Sequence, residues 1–285
     1  HVRVYQYSNS AWTQLGSDID GEAADDWSGY SVSLSSDGSI VAIGAALNPD
    51  TGSNAGHVRI YQYSNSAWTQ LGSDIDGEAA TDYSGRAVSL SSDGSIVAIG
   101  APYNDGTGTT AGHVRVYQYS NSAWTQLGND IDGEAASDQS GWSVSLSSDG
   151  TILAIGANAN DGNVSNAGHV RVYQYSNSDW TQLGADIDGE ATTDYSGTSV
   201  SLSSDGSIVA IGAHLNDDNG SSGGHVRGYP YSNSAWTQLG SDIDGEAAGD
   251  NSGYSVSLSS DGTIVAIGAY LNDDNGSNSG HVRVY

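Results

Sequence analysis

The chain repeats itself. HVRVYQYSNSAWTQLG opens at His1 and returns, slightly varied, at His57, His113, His169 and His225, and a last HVRVY fills His281 to Tyr285. The copies therefore occupy 1–56, 57–112, 113–168, 169–224 and 225–280, followed by a closing strand at 281–285. A unit of this size cannot bury its apolar side chains alone, so each copy must stack on its neighbours. One repeat domain over 1–285 is expected.

Four strands are legible in each period. Residues 1–7 alternate, with Val2 and Val4 on one side and His1, Arg3, Tyr5 and Tyr7 on the other, which predicts a strand with one buried face. The turn Ser8-Asn9-Ser10 leads into Ala11–Gly16, and a long Gly- and Asp-rich loop follows. Tyr30–Ser35 alternates again. After Ser36-Asp37-Gly38-Ser39 comes Ile40–Ala45, apolar throughout, as in a strand covered on both faces. No stretch carries apolar spacing of 3.6, so no helix is predicted. The fold class is all-β: a β-propeller of four-stranded 56-residue repeats, with an open β-repeat array or solenoid as the alternative. A third-strand HVRVY at both ends leaves one copy redundant. A ring that closes with a spare strand is the expected outcome, ahead of an open array.

Composition removes several partners. Asp and Glu total 34 against 7 basic residues, all Arg, and the net charge is -27. Nucleic acid and anionic membranes both need a basic footprint, so neither is expected as a partner. Without Cys there is no disulfide or thiol chemistry, and no apolar run is long enough for a membrane span.

The landmarks Ser28-Gly29-Tyr30-Ser31-Val32-Ser33, Asp37-Gly38, Ile43-Gly44-Ala45 and Gly56-His57-Val58-Arg59-Ile60-Tyr61 recur in order, and Gly100-Ala101-Pro102 adds a Gly-Ala-Pro triplet. In these the chain resembles the FG-GAP repeat family, whose repeats build the propeller of integrin α subunits and of many secreted microbial and algal proteins. The resemblance implies a propeller in an extracellular or cell-surface setting. Two departures stand out: the opening Phe-Gly is Ser-Gly, and the family's calcium turn is reduced to Ser-Ser-Asp-Gly. That metal site is not carried over.

Because antiparallel connections alternate between the ends of a sheet, the long loops should gather on one face, the usual place for function on a rigid scaffold. Three features fall there. The first is an acidic string in every copy: Asp18, Asp20, Glu22 and Asp26; Asp74, Asp76, Glu78 and Asp82; Asp130, Asp132, Glu134 and Asp138; Asp186, Asp188, Glu190 and Asp194; Asp242, Asp244, Glu246 and Asp250. Carboxylates around a Gly turn offer the oxygen ligands of calcium, although no cofactor is required. The competing reading is a turn with solvated acids that cap backbone N–H groups.

The second feature is a set of glycosylation sequons at Asn163, Asn219 and Asn275, all at one repeat position. The third is variation between copies beside the long loops. It supplies Trp27, Tyr30, Tyr83, Arg86, Trp142, Tyr195, His214, Tyr254 and Tyr270 as anchors of a binding face.

A repeated His-Val-Arg ladder lacks the single asymmetric cluster of a nucleophilic site, and the expectation is a chain that is not an enzyme. Its expected role is an extracellular adhesion or ligand-binding module for protein or glycan ligands. The alternative is a structural subunit of an extracellular fibre or coat that self-associates by repeat stacking or edge strands.

Overall fold

The computed structural model describes residues 1–285 and is all-β, with five antiparallel sheets arranged as the blades of a propeller. An N-terminal hairpin, β1 (Tyr5–Ser8) and β2 (Ala11–Gln14), precedes the first blade. That blade runs from the axis outward as β3 (Ser31–Leu34), β4 (Ile40–Ala45), β5 (His57–Ser64) and β6 (Ala67–Gln70). A short strand, β7 (Ile75–Asp76), pairs with the first half of β5 through His57↔Asp76 and Val58↔Ile75. Three further blades repeat this pattern, and the fifth has three strands, ending at His281–Val284.

β7 lies inside the stretch read as loop. Two residues carry no periodicity, so only pairing reveals such a strand. Its Ile75 is core, as are Ile19, Ile131 and Ile187.

The first half of β5 also differs from its expected one-sided burial. His57, Val58, Arg59 and Ile60 are all buried, because a central strand in a propeller has a blade on each side. Val58 and Ile60, with Ile40, Ala42 and Ile75, meet Leu90, Val97 and Ile99 of the next blade. His57 and Arg59 face the preceding loop, where Arg59 Nη2 donates to the Asp20 carbonyl at 2.8 Å and Nη1 lies 3.5 Å from Glu22. Arg115 and Arg171 repeat the carbonyl bond at 2.7 Å. The arginine of these repeat strands thus ties its blade to the loop that precedes that blade.

Two polar details tighten the seams. The backbone N–H of Leu90 donates to Ser33 Oγ of the previous blade at 3.0 Å, and Leu146, Leu202 and Leu258 repeat the bond. The serines alternating with Val and Leu in the inner strand are therefore interface residues too. Gly44 stands where a Cβ would come within 2.1 Å of the Gly85 carbonyl oxygen, so the Ile-Gly-Ala motif is fixed by close approach of two blades.

The inner strands of all five blades line an axial channel through Leu34, Leu90, Leu146, Leu202 and Leu258. The expected closure is not made. Backbone bonds run Ser36 to Ser92, Ser92 to Ser148, Ser148 to Ser204 and Ser204 to Ser260, with none from Ser260 back to Ser36. Leu34 is 50% exposed where Leu90 is 7%, and Val284 is 65% exposed where the equivalent Ile60 is 0%. The N-terminal hairpin does not enter the fifth sheet. Instead Val2 and Ile19 pack on Val41 and Ile43 of the first blade. Each end of the arc thus presents half of a blade–blade interface, covered only in part at the first blade. No helix is long and apolar enough to cross a membrane.

Candidate functional site

The long loops supply two kinds of side-chain cluster. The first is aromatic. Trp27 stacks on Tyr30 at 5.8 Å and 14°, and the Arg86 guanidinium lies 5.0 Å from the Tyr30 ring and 3.8 Å from the Trp142 ring. Tyr103 extends this row, 6.5 Å from Trp142 and 4.9 Å from Tyr83. A second row joins Tyr195 to His214 at 6.2 Å, His214 to Tyr254 at 5.5 Å, and Tyr254 to Tyr270 at 4.5 Å. All nine residues singled out by copy variation therefore fall into two contiguous rows. Tyr103 was missed, although its position varies in the same way, reading Leu47, Tyr103, Ala159, Leu215 and Leu271.

Local backbone geometry sharpens the picture. Trp27, Tyr83 and Tyr195 have φ of 56°, 56° and 54°, in the left-handed region that bulky side chains avoid. Asn251, at the same position with φ 55°, is the residue type this conformation tolerates best. Burial lowers the His214 pKa to about 4, so its ring is neutral between the two tyrosines at neutral pH. Beside Tyr83 and Tyr103, a groove with Thr81, Asp105, Thr109 and Thr110 on its walls opens to solvent.

The second kind of cluster is acidic, but it is not the single-loop cage expected for calcium. No three carboxylates of one loop converge within ligand distance of one another. Asp26 turns inward and its Oδ2 accepts the Ala23 N–H at 2.8 Å. Asp82 accepts both Ala79 N–H and Asn104 Nδ2 at 3.0 Å, and Asp194 and Asp250 are held alike. These buried acids order the loop. Asp18 pairs with Arg3 at 2.9 Å in the N-terminal copy. The Asp20 carbonyl serves Arg59, and Asp76, Asp132, Asp188 and Asp244 sit on the short strand that pairs with the His-Val end of each third strand.

What does converge spans two repeats and includes the histidine. Glu22, Asp50, His57 and Asp74 form one group, and Glu190, Asp218, His225 and Asp242 its counterpart. Glu78, His113 and Asp130, then Glu134, His169 and Asp186, and finally Glu246, Asp274 and His281 are three-residue versions. These clusters offer the donor types that bind a metal ion. Burial lowers the pKa of His113 and His225 and brings His169 to about 4, which leaves these imidazoles neutral at neutral pH. The histidine was legible as part of a recurring His-Val-Arg ladder. Its meeting with acids from two loops was not.

The sequons occupy a position with a common structural task. Thr51 Oγ1 donates to the Gly77 carbonyl at 2.7 Å, Thr107 to Gly133 at 2.6 Å, and Asn163 Nδ2 to Gly189 at 3.2 Å. Asn219 makes the same bond to Gly245, while Asn275 makes none.

The family model for the FG-GAP repeat matches residues 131–173, 185–226 and 242–285. The first two repeats share the same landmarks almost residue for residue. Comparison with curated proteins gives no match. Among solved structures, the chain is similar to a periplasmic gluconolactonase of Pseudomonas aeruginosa, with TM-score 0.62 and 16% identity over 93% of this chain and 70% of that one. It is also similar to a protein of Bacteroides fragilis provisionally described as a 6-phosphogluconolactonase, with TM-score 0.64 and 13% identity over 99% and 72%. A third is hydrazine synthase of Kuenenia stuttgartiensis, with TM-score 0.55 and 14% identity over 91% and 59%.

The expectation that the chain is not an enzyme is withdrawn on this finding. Structures of this shape include proteins named for lactonase activity, and a blade-by-blade ladder does not exclude one reacting site. At these identities the likeness establishes the fold alone.

Proposed function

On the premise that this chain is a propeller of FG-GAP repeats, we propose that it is an extracellular adhesion or ligand-binding module that takes a protein or glycan ligand on its long-loop face. The observation that carries this reading is the Arg86 guanidinium set between Tyr30 and Trp142, within a row running from Trp27 to Tyr83. Aromatic planes give flat apolar area at small entropic cost, and a fixed guanidinium adds directed donors for a carboxylate or carbonyl. Bulky rings held at positive φ add support, since strain of this kind gathers at functional sites. The reading requires no cofactor. A cation such as calcium would act by stiffening the loops, and sugar attachment at Asn163, Asn219 or Asn275 would accompany secretion.

Arg86→Thr and Trp142→Thr test this, because Thr198 already occupies the equivalent position. Glycans and cell-surface proteins that an array shows to bind the native chain should bind either variant at least tenfold more weakly, with the melting temperature little changed. Undiminished binding would remove the reading.

The exposed end faces favour a second reading, a structural subunit of a fibre or coat. Val32 and Leu34 at one end, with Ile264, Val282 and Val284 at the other, present complementary halves of a seam that recurs inside the molecule. Electron micrographs showing only separate particles at high concentration would dismiss it.

A further inference from the structure

The histidine clusters carry an assignment that stands apart from the binding face. We propose that the seams at His57 and His225 are two equivalent sites for a divalent transition cation of the zinc class, each built from one imidazole and three carboxylates. His57 is fully buried, and its Nδ1 has no hydrogen-bond partner. That atom points at Asp50 Oδ2, 3.7 Å away, and Glu22 Oε2, 3.9 Å away, with an Asp74 oxygen in the same group. His225 is the counterpart: its side chain is buried, Nδ1 is unpartnered, Asp242 Oδ2 lies 3.5 Å off, and Asp218 and Glu190, the latter paired with Arg227 at 2.9 Å, complete the group within 4.8 Å. A buried nitrogen without a partner costs stability, so a ligand that uses its lone pair has a free-energy reason to be there.

The spacings suit a metal better than direct hydrogen bonds. Donor atoms bound at about 2.0–2.2 Å to one zinc ion sit roughly 3–3.6 Å apart; here the nearest carboxylate oxygens stand 3.5–3.9 Å from the imidazole nitrogen, and all donor atoms of a group lie within 4.8 Å of one another. A small inward movement of exposed carboxylates closes the difference. The acids are already aimed: Gln70 Nε2 donates to Asp74 Oδ1, and Gln238 does the same for Asp242, which leaves the second oxygen of each free. Three carboxylates meet one imidazole, and Arg59 stands 3.5 Å from Glu22 as the adjacent cation. Nitrogen in the donor set selects a transition ion over calcium, which takes oxygen.

The copies supply their own controls. At the position of Asp50 and Asp218 the second and third repeats have Gly106 and Gly162, so the His113 and His169 seams keep three donors. The His281 seam also has three, Glu246, Asp274 and His281 itself. Two tight sites per chain follow, with the others weaker.

Zinc titration of the metal-stripped full chain by calorimetry, against a competing chelator, tests this. Two tight equivalents are expected, at least tenfold tighter than calcium at the same sites. The double variant Asp50→Gly, Asp218→Gly copies a residue that other repeats carry and so keeps the fold. It should lose the tight class. Gly106→Asp should raise the count to three, because Asp50 makes the same N–H bond to Asn48 that Gly106 makes to Asn104. The proposal is overturned if zinc shows no saturable binding, if calcium binds equally well, or if the tight stoichiometry is unchanged in these variants.

Discussion

The indole Nε1–H of Trp180 donates to the main-chain carbonyl of Leu127 at 2.8 Å, across the seam between consecutive blades. Trp68, Trp124 and Trp236 make the same bond to Leu15, Leu71 and Leu183. The conserved-looking Trp-Thr-Gln-Leu-Gly string is thus half donor and half acceptor of one contact, realised only when a second copy stands alongside. Trp180→Phe should destabilise the chain by about 1–2 kcal/mol through an unpaired carbonyl and a smaller ring. Trp12→Phe should cost little, because Trp12 is 69% exposed with no blade before it. Urea denaturation of the two variants checks the contrast.

Position 139 offers a stabilising change. Gln139 holds φ of 57°, whereas the equivalent Asn251 holds 55° and donates from its side chain to the Ser222 carbonyl at 3.0 Å. Gln139→Asn should relieve the left-handed strain and gain the bond to Thr110, raising stability by about 0.5–1.5 kcal/mol. An unchanged denaturation midpoint would contradict this.

The inner turns make the chain acid-sensitive. The Ser39 N–H, with the Ser35 and Ser39 hydroxyls, holds Asp37 below the usual carboxylate range, and the Ser207 hydroxyl with its N–H and Ser203 does so for Asp205. The Ser259 hydroxyl, then the Thr263 N–H and hydroxyl, bring Asp261 to about 2. A folded pKa below the unfolded one contributes stability above the unfolded value, and that contribution disappears as pH falls through the folded value. The melting temperature should therefore fall between about pH 4 and about pH 2. Replacing Asp37, Asp205 and Asp261 together by Asn should flatten that fall.

The free face of the fifth blade should govern self-association. Val282 and Val284 are 68% and 65% exposed, while their counterparts Val58 and Ile60 are fully buried against a following blade. Val282→Asp with Val284→Asp should abolish any concentration-dependent association seen by sedimentation velocity. Association that persists in the variant would place the contact elsewhere.

Much of this molecule was readable from its residues. The 56-residue period, the apolar run of Ile40–Ala45 and the turn residues dictated repeated sheets, because a strand's periodicity is local and a buried strand needs no polar face. Copy variation likewise pointed to the aromatic rows, since framework strands that hardly change throw the altered positions into relief. The Ile75–Asp76 strand escaped because its pairing partner defines it.

What the sequence determined by itself, then, is the blade: its strands, their order, and the face where its long loops emerge. Tertiary structure alone decided which side chains meet between blades and whether the last blade meets the first. The reason is that His57 opens a strand while Glu22 and Asp74 come from two different loops, and their encounter depends on the angle between consecutive sheets. That angle is set by the packing of Leu90 against Ile60 and by Gly44 under the Gly85 carbonyl, contacts for which no local pattern exists.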